Sequence, residues 1–256
     1  MSENTNNARG GEFILGVYEK EEPPKTFKEK LSNFFYHYTW HSIIALFVII
    51  AIVVCSVQMC RKTEFDVYVM YAGGADITMT VSEATGQSDY TILMNAIGKY
   101  ALDYDENGTK TVNLQNLFLP SESLIKEIEA DPEREVNYRL ISENTEIFKN
   151  NIYMGEYYVC LIAEHLYLEW AEKEANPFVK IAPYAPAENG FEFAGEYGIY
   201  LRSTPLYDEA GFSLLDEDTV ICLRAYSDVS LIFGDKENRE VYAASEQLIR
   251  ALLAAE

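Results

Sequence analysis

The chain has 256 residues and a formal net charge of -21, from 20 Lys and Arg against 41 Asp and Glu. That balance argues against a nucleic-acid binder, because phosphate contacts need clustered cations. An apolar fraction of 48% excludes global disorder, and four cysteines are too few for a disulfide scaffold.

In chain order, residues 1–24 read as a disordered cytoplasmic tail, closed by Pro23-Pro24. Within it, Phe13 to Tyr18 is an apolar patch that suits either a short docking peptide or an ordinary tail cluster. Residues 25–42 form an amphipathic juxtamembrane segment. Phe27, Leu31, Phe34 and Phe35 recur at helical spacing beside Lys25, Lys28 and Lys30. The same residues also fit the first turns of one long helix. Leu31 to Cys60 contains no Asp, Glu, Lys or Arg, and Ile43 to Cys55 is unbroken apolar sequence. Residues 43–60 would span roughly 27 Å as a helix, close to a bilayer core. Aromatic residues from Phe34 to Trp40 resemble an interfacial belt, and Arg61-Lys62 close the other end. No A-x-A-like cleavage site follows the apolar run, so the expectation is an uncleaved signal-anchor. The lysine excess before the span places the N-terminus in the cytoplasm and residues 63–256 outside the cell.

The outer part alternates strand and helix patterns. Strands are expected at Phe65 to Tyr71, Ile77 to Val81, Thr111 to Phe118, Tyr157 to Ile162, Phe178 to Ala182, Gly198 to Leu201 and Thr219 to Ala225. Helices are expected after the Ser88-Asp89 cap, over Ser121 to Ala130, Asn137 to Asn151, His165 to Glu174 and Asn238 to Ala255. Ala182 to Gly198 is the longest loop-like stretch. Strands separated by helices predict an α/β domain with a parallel or mixed sheet flanked by helices.

Two segments could carry chemistry. Asp103, Asp105 and Asn107 followed by Gly108 open with the spacing of a calcium loop, although position twelve is Leu114 and not an acid. A polar turn between helix and strand explains the same residues. The second is a ligand crevice beyond the carboxyl ends of the strands. Tyr71, Gly73 and Gly74 follow the first strand, and Glu164 and His165 follow the strand after Tyr157. The glycines would let backbone amides approach a ligand, or only make a turn. His165 and Glu169 share a helical face but are too few for zinc. Cys160 and Cys222 read as buried thiols, or as a disulfide if their strands are neighbours.

From Asn33 to Ser42, through the span and on to Phe65 to Gly73, the chain resembles a group of uncharacterised single-span proteins of Gram-positive bacteria. The Asp103 turn and Phe178 to Tyr184 fit that pattern. The strand–helix order is also similar to one lobe of extracellular solute-binding proteins. The resemblance implies an anchored extracytoplasmic binding or assembly protein, with a small ligand or a protein as partner. It supplies no ligand-binding residues, because that group has no established site. The competing reading is a membrane-tethered hydrolase whose site carries no familiar motif.

Overall fold

The structure is a computed structural model that describes residues 26–60, 65–78, 80–82, 86–104, 108–186, 190–227 and 235–255. The chain divides into two units, with the break after Thr63. Residues 1–24, and with them the Phe13 patch, lie outside the described residues.

In the first unit, helix α1 runs over Phe27–Cys60. Tyr38 leaves helical geometry at φ -119° and ψ 23°, so the helix is kinked there without a proline or glycine. Tyr38–Cys55 is long and apolar enough to cross a membrane, and its side chains are not buried within the unit. Twelve or more apolar residues exposed to water would be costly at about 25 cal/mol per Å², so this surface needs a cover.

The second unit is an α/β domain. Its elements are β1 (Val67–Gly73), α2 (Asp89–Tyr100), β2 (Val112–Phe118), α3 (Glu122–Ala130), α4 (Tyr138–Met154), β3 (Val159–Ala163), α5 (Glu164–Ala171), β4 (Gly198–Tyr200), β5 (Thr219–Leu223) and α6 (Asp235–Leu253). The sheet order is β2-β1-β3-β5-β4. β1 pairs in parallel with β2 and β3, whereas β5 runs antiparallel to both β3 and β4. β1, β3 and β5 are buried along their whole length. That is why they read as near-continuous apolar runs and not as alternating ones.

Both faces are covered. On one, Val69, Tyr71, Leu161 and Ile221 pack with Leu93 and Ile97 of α2 and Leu248, Ile249 and Leu252 of α6. On the other, Met70, Ile162 and Val220 pack with Phe148 and Ile152 of α4 and Tyr167 and Trp170 of α5. Ser88, Ser121 and Asn137 cap α2, α3 and α4, each accepting a backbone N–H from the first turn. The free edge at β2 is partly closed by side chains. Tyr90 donates to the Leu114 carbonyl and Asn144 to that of Phe118, which removes acceptors a foreign strand would need.

Two expected strands are absent. Ile77 lies in a turn, and Val81 makes only an isolated bridge to Ser88. Phe178 bridges only to Arg224, and Ala182–Tyr184 is a 3-10 turn. In both places apolar residues are buried by packing without strand pairing. Ile77 is 2% exposed, and Phe178 stacks on Tyr167 at 5.5 Å. The helix expected to reach Glu174 stops at Ala171.

Cys160 and Cys222 are directly opposite in neighbouring strands, both fully buried and both thiols. Their register opposes a disulfide. Arg224 N–H donates to the Tyr158 carbonyl at 2.8 Å, and Glu164 N–H to that of Asp218 at 3.1 Å. The hydrogen-bonded pairs therefore alternate through Cys160 and Cys222. Such pairs hold Cβ atoms about 5.5 Å apart, where a disulfide needs about 3.8 Å. Burial and the neighbouring Cys160 push the Cys222 thiol up, so it is also a poor nucleophile. Both cysteines are expected to react with a thiol reagent only after denaturation. Under non-reducing conditions, a Cys160–Cys222 linkage found by peptide mapping would contradict this.

Candidate functional site

The parallel strands create a topological switch point. The chain leaves β1 towards β2 on one side, then returns over β1 to β3 on the other. In open α/β sheets, ligands occupy the crevice beyond the carboxyl ends of the strands at such a point. A cleft of about 200 Å³ lies there, lined by Gly74, Ser121, Leu124, Ala163, His165, Asp216 and Asp218. Gly74 follows β1, Ser121 caps α3, Ala163 ends β3, and His165 is in the first turn of α5. β5 is antiparallel, so the loop before it returns to the same end and brings Asp216 and Asp218.

Gly74 and His165, two of the five residues anticipated for a ligand, line the cleft. The other three have different surroundings. Tyr71 is fully buried beneath it and offers no open aromatic face. Its hydroxyl donates to Asp216 Oδ2 at 3.0 Å and accepts the Ala75 N–H at 3.0 Å. Gly74 N–H donates to the same carboxylate oxygen at 2.6 Å. The backbone at Gly73 approaches closely, but to the chain's own Asp216. A Cβ on Gly73 would sit 2.8 Å from that carboxylate. Glu164 accepts a hydrogen bond from the Tyr200 hydroxyl at the flank.

Asp216 thus has one oxygen doubly held by donors. Asp218 has a weaker setting. Burial first, then the charge of Asp216, raises its carboxyl above the usual 3.8, Glu164 adds to this, and His165 opposes it. The local potential is therefore negative in spite of the imidazole. The positive end of α3 does not reverse this, because Ser121 caps it and Glu122 stands in its first turn.

A raised acid opposes folding when it ionises. The native state then binds its proton more tightly than the unfolded chain. Stability from Asp218 is full below 3.8 and declines as pH rises towards the folded value. Asp218→Asn is expected to raise the melting temperature by a few degrees at pH 7 and to change it little at pH 3.5. Thermal melts at both pH values check this; an equal effect at both would assign it to something other than ionisation.

Ser121, His165 and Asp218 share the cleft, which invites comparison with a nucleophilic triad. Ser121 Oγ accepts from Leu124 N–H at 3.3 Å and contacts Ser123 Oγ at 2.8 Å. Among the described residues no hydrogen bond joins Ser121 to His165, so the relay a triad requires is not assembled.

The Asp103 turn is elsewhere. Asp105 and Asn107 lie outside the described residues. Asp103 Oδ2 accepts the Gly108 N–H at 2.7 Å, and Gly108 has φ 86°. Among the described residues no group of three or more His, Cys, Asp or Glu side chains is placed to hold a metal ion.

Sequence reading missed Ser121, Leu124, Asp216 and Asp218. The acidic run Leu215-Asp216-Glu217-Asp218 just before a strand was the available signal. Only the antiparallel direction of β5 brings it to this end of the sheet. No family profile matches the chain, and neither a curated protein nor a solved structure does.

Proposed function

We propose that the protein is a membrane-anchored binding protein. Its α/β domain, held outside the cell by the apolar helix, takes a small solute carrying a positive group. The observation that carries this reading is the cleft at the β1–β3 switch point with two carboxylates, Asp216 and Asp218, on its wall. Its volume, about 200 Å³, is below the range of about 300–1,000 Å³ typical for drug-sized ligands. A solute of a few heavy atoms, such as a small primary amine, suits it. A cation placed beside Asp218 would offset the repulsion from Asp216 and Glu164 and favour its charged form. The exposed apolar stretch Tyr38–Cys55 supports the anchor. The lysines before it support a cytoplasmic N-terminus. A cleft walled by carboxylates supports binding over assembly.

The test is a thermal melt of the full chain in detergent micelles with small primary amines, and with alcohols and carboxylates of matching size. Amines alone should raise the melting temperature, since a ligand bound only by the native state stabilises it. The rise should be larger at pH 7 than at pH 4 and be lost in Asp218→Asn. If no amine raises it, or if alcohols do so equally, the charged-cleft reading is wrong.

A further inference from the structure

Helix α1 has 34 residues and at about 1.5 Å each would extend about 51 Å, far more than a hydrocarbon core of about 30 Å. The break at Tyr38 divides it. From Thr39 to Cys60 the remaining 22 residues give about 33 Å, which matches the core. The first segment, Phe27 to His37, is therefore surplus to a span.

Its sequence is arranged for another setting. At about 100° per residue, Phe27, Leu31, Phe34 and Phe35 fall within one arc about 100° wide. Lys28 and Lys30 stand on the two flanks of that arc, and Glu29 stands opposite it. Phe27 is 81% exposed, so among the described residues none covers it. Lysines at both borders of an apolar stripe let the stems lie along hydrocarbon while the ammonium groups reach phosphate.

We propose that Phe27 to His37 lies in the plane of an anionic leaflet, with Tyr38 as the bend from which the span enters the bilayer. The occupant of its apolar face is lipid, and Lys28 and Lys30 contact anionic headgroups. This rests on the anchor reading above. The span supplies the attachment, so the segment needs only weak intrinsic affinity, because tethering makes its binding intramolecular.

The test uses the full chain reconstituted in vesicles of phosphatidylcholine and phosphatidylserine at about 7:3. Trp40→Phe and Trp170→Phe remove the two native indoles, and either Phe34→Trp or Asn33→Trp adds one. Position 34 belongs to the apolar arc and position 33 to the polar face. The Phe34→Trp chain should be quenched by lipids brominated high in the acyl chain. The Asn33→Trp chain should be quenched by aqueous acrylamide, with a constant at least about twofold higher than at position 34. Adding Lys28→Gln and Lys30→Gln, or omitting phosphatidylserine, should reduce that contrast. Equal acrylamide quenching in chains that float with the vesicles overturns the in-plane helix and leaves the anchor standing. Equal quenching by brominated lipid means one continuous transbilayer helix and also overturns it. A contrast that survives loss of both lysines overturns the anionic-headgroup contact. A chain that does not float overturns the anchor and this proposal with it.

Discussion

Asp66→Ala is expected to lower the stability of the domain by about 4 kcal/mol, among the largest effects of any polar substitution here. Asp66 precedes β1 and is only 5% exposed. Its carboxylate accepts from Tyr104 N–H at 2.7 Å, Thr111 N–H at 2.6 Å and Thr111 Oγ at 2.8 Å. The first donor directly follows Asp103, and the other two lie just before β2. One side chain thus ties the end of α2 and the start of β2 to the start of β1. Hydrogen bonds to a charged acceptor contribute about 1.5–3 kcal/mol each when the partners are shielded. Truncation leaves three donors unmet, and partial water access lowers the total. Asp66→Asn keeps one acceptor oxygen and should cost roughly half as much. Chemical denaturation of the full chain in micelles measures both. A loss under about 1 kcal/mol in Asp66→Ala would show that water replaces the carboxylate readily. Repeating the denaturation with millimolar calcium separates this role from any metal role of the turn. The tie made by Asp66 needs no ion, so the penalty should persist with calcium present.

What could be read from sequence follows from what local patterns encode. β1 was legible because a strand buried on both faces must be apolar throughout, and Val67–Gly73 is. The helix starts were legible because Ser88 and Ser121 are the residue type that caps orphan amides. The apolar stretch of α1 was legible from composition alone. The strands expected at Ile77 and Phe178 were misread because apolar residues report burial, and burial does not require a partner strand. The irregular run from Leu201 to Phe212 was also hidden. It is three successive 3-10 turns pinned by the buried Leu201, Leu206 and Phe212, with no period a pattern could follow. For the cleft, sequence pointed to the loops after β1 and β3, which do lie at one end. The acid from before β5 is 142 residues from the glycine amide it engages. That pairing depends on strand direction, which no local window contains.

Gly73→Ala is expected to cost about 2–3 kcal/mol and to disable the cleft in the same step. The added methyl would stand 2.5 Å from the Tyr71 hydroxyl, and 2.8 Å from both Asp216 Oδ2 and Tyr71 Cζ. Contacts below 3 Å force movement, and neither neighbour can yield easily. Tyr71 is fully buried in the core, and burial followed by the Asp216 charge drives its hydroxyl far above the normal tyrosine range, so it stays a proton donor. Asp216 is fixed by that hydroxyl and by Gly74 N–H. Relief therefore means breaking the hydrogen bonds that place Asp216 on the cleft wall. For a domain of this size the loss corresponds to a fall of about 4–12 °C in melting temperature. A double-mutant cycle with Tyr71→Phe tests the mechanism, because that change removes the atom nearest the new methyl. In the Tyr71→Phe background the Gly73→Ala penalty should shrink by about 1 kcal/mol, a coupling expected only for residues in contact. Additive penalties would mean that the clash is absorbed elsewhere, for instance by a shift of the β1 end. Amine-dependent stabilisation should vanish in Gly73→Ala and persist in Tyr71→Phe, where Gly74 N–H still holds Asp216.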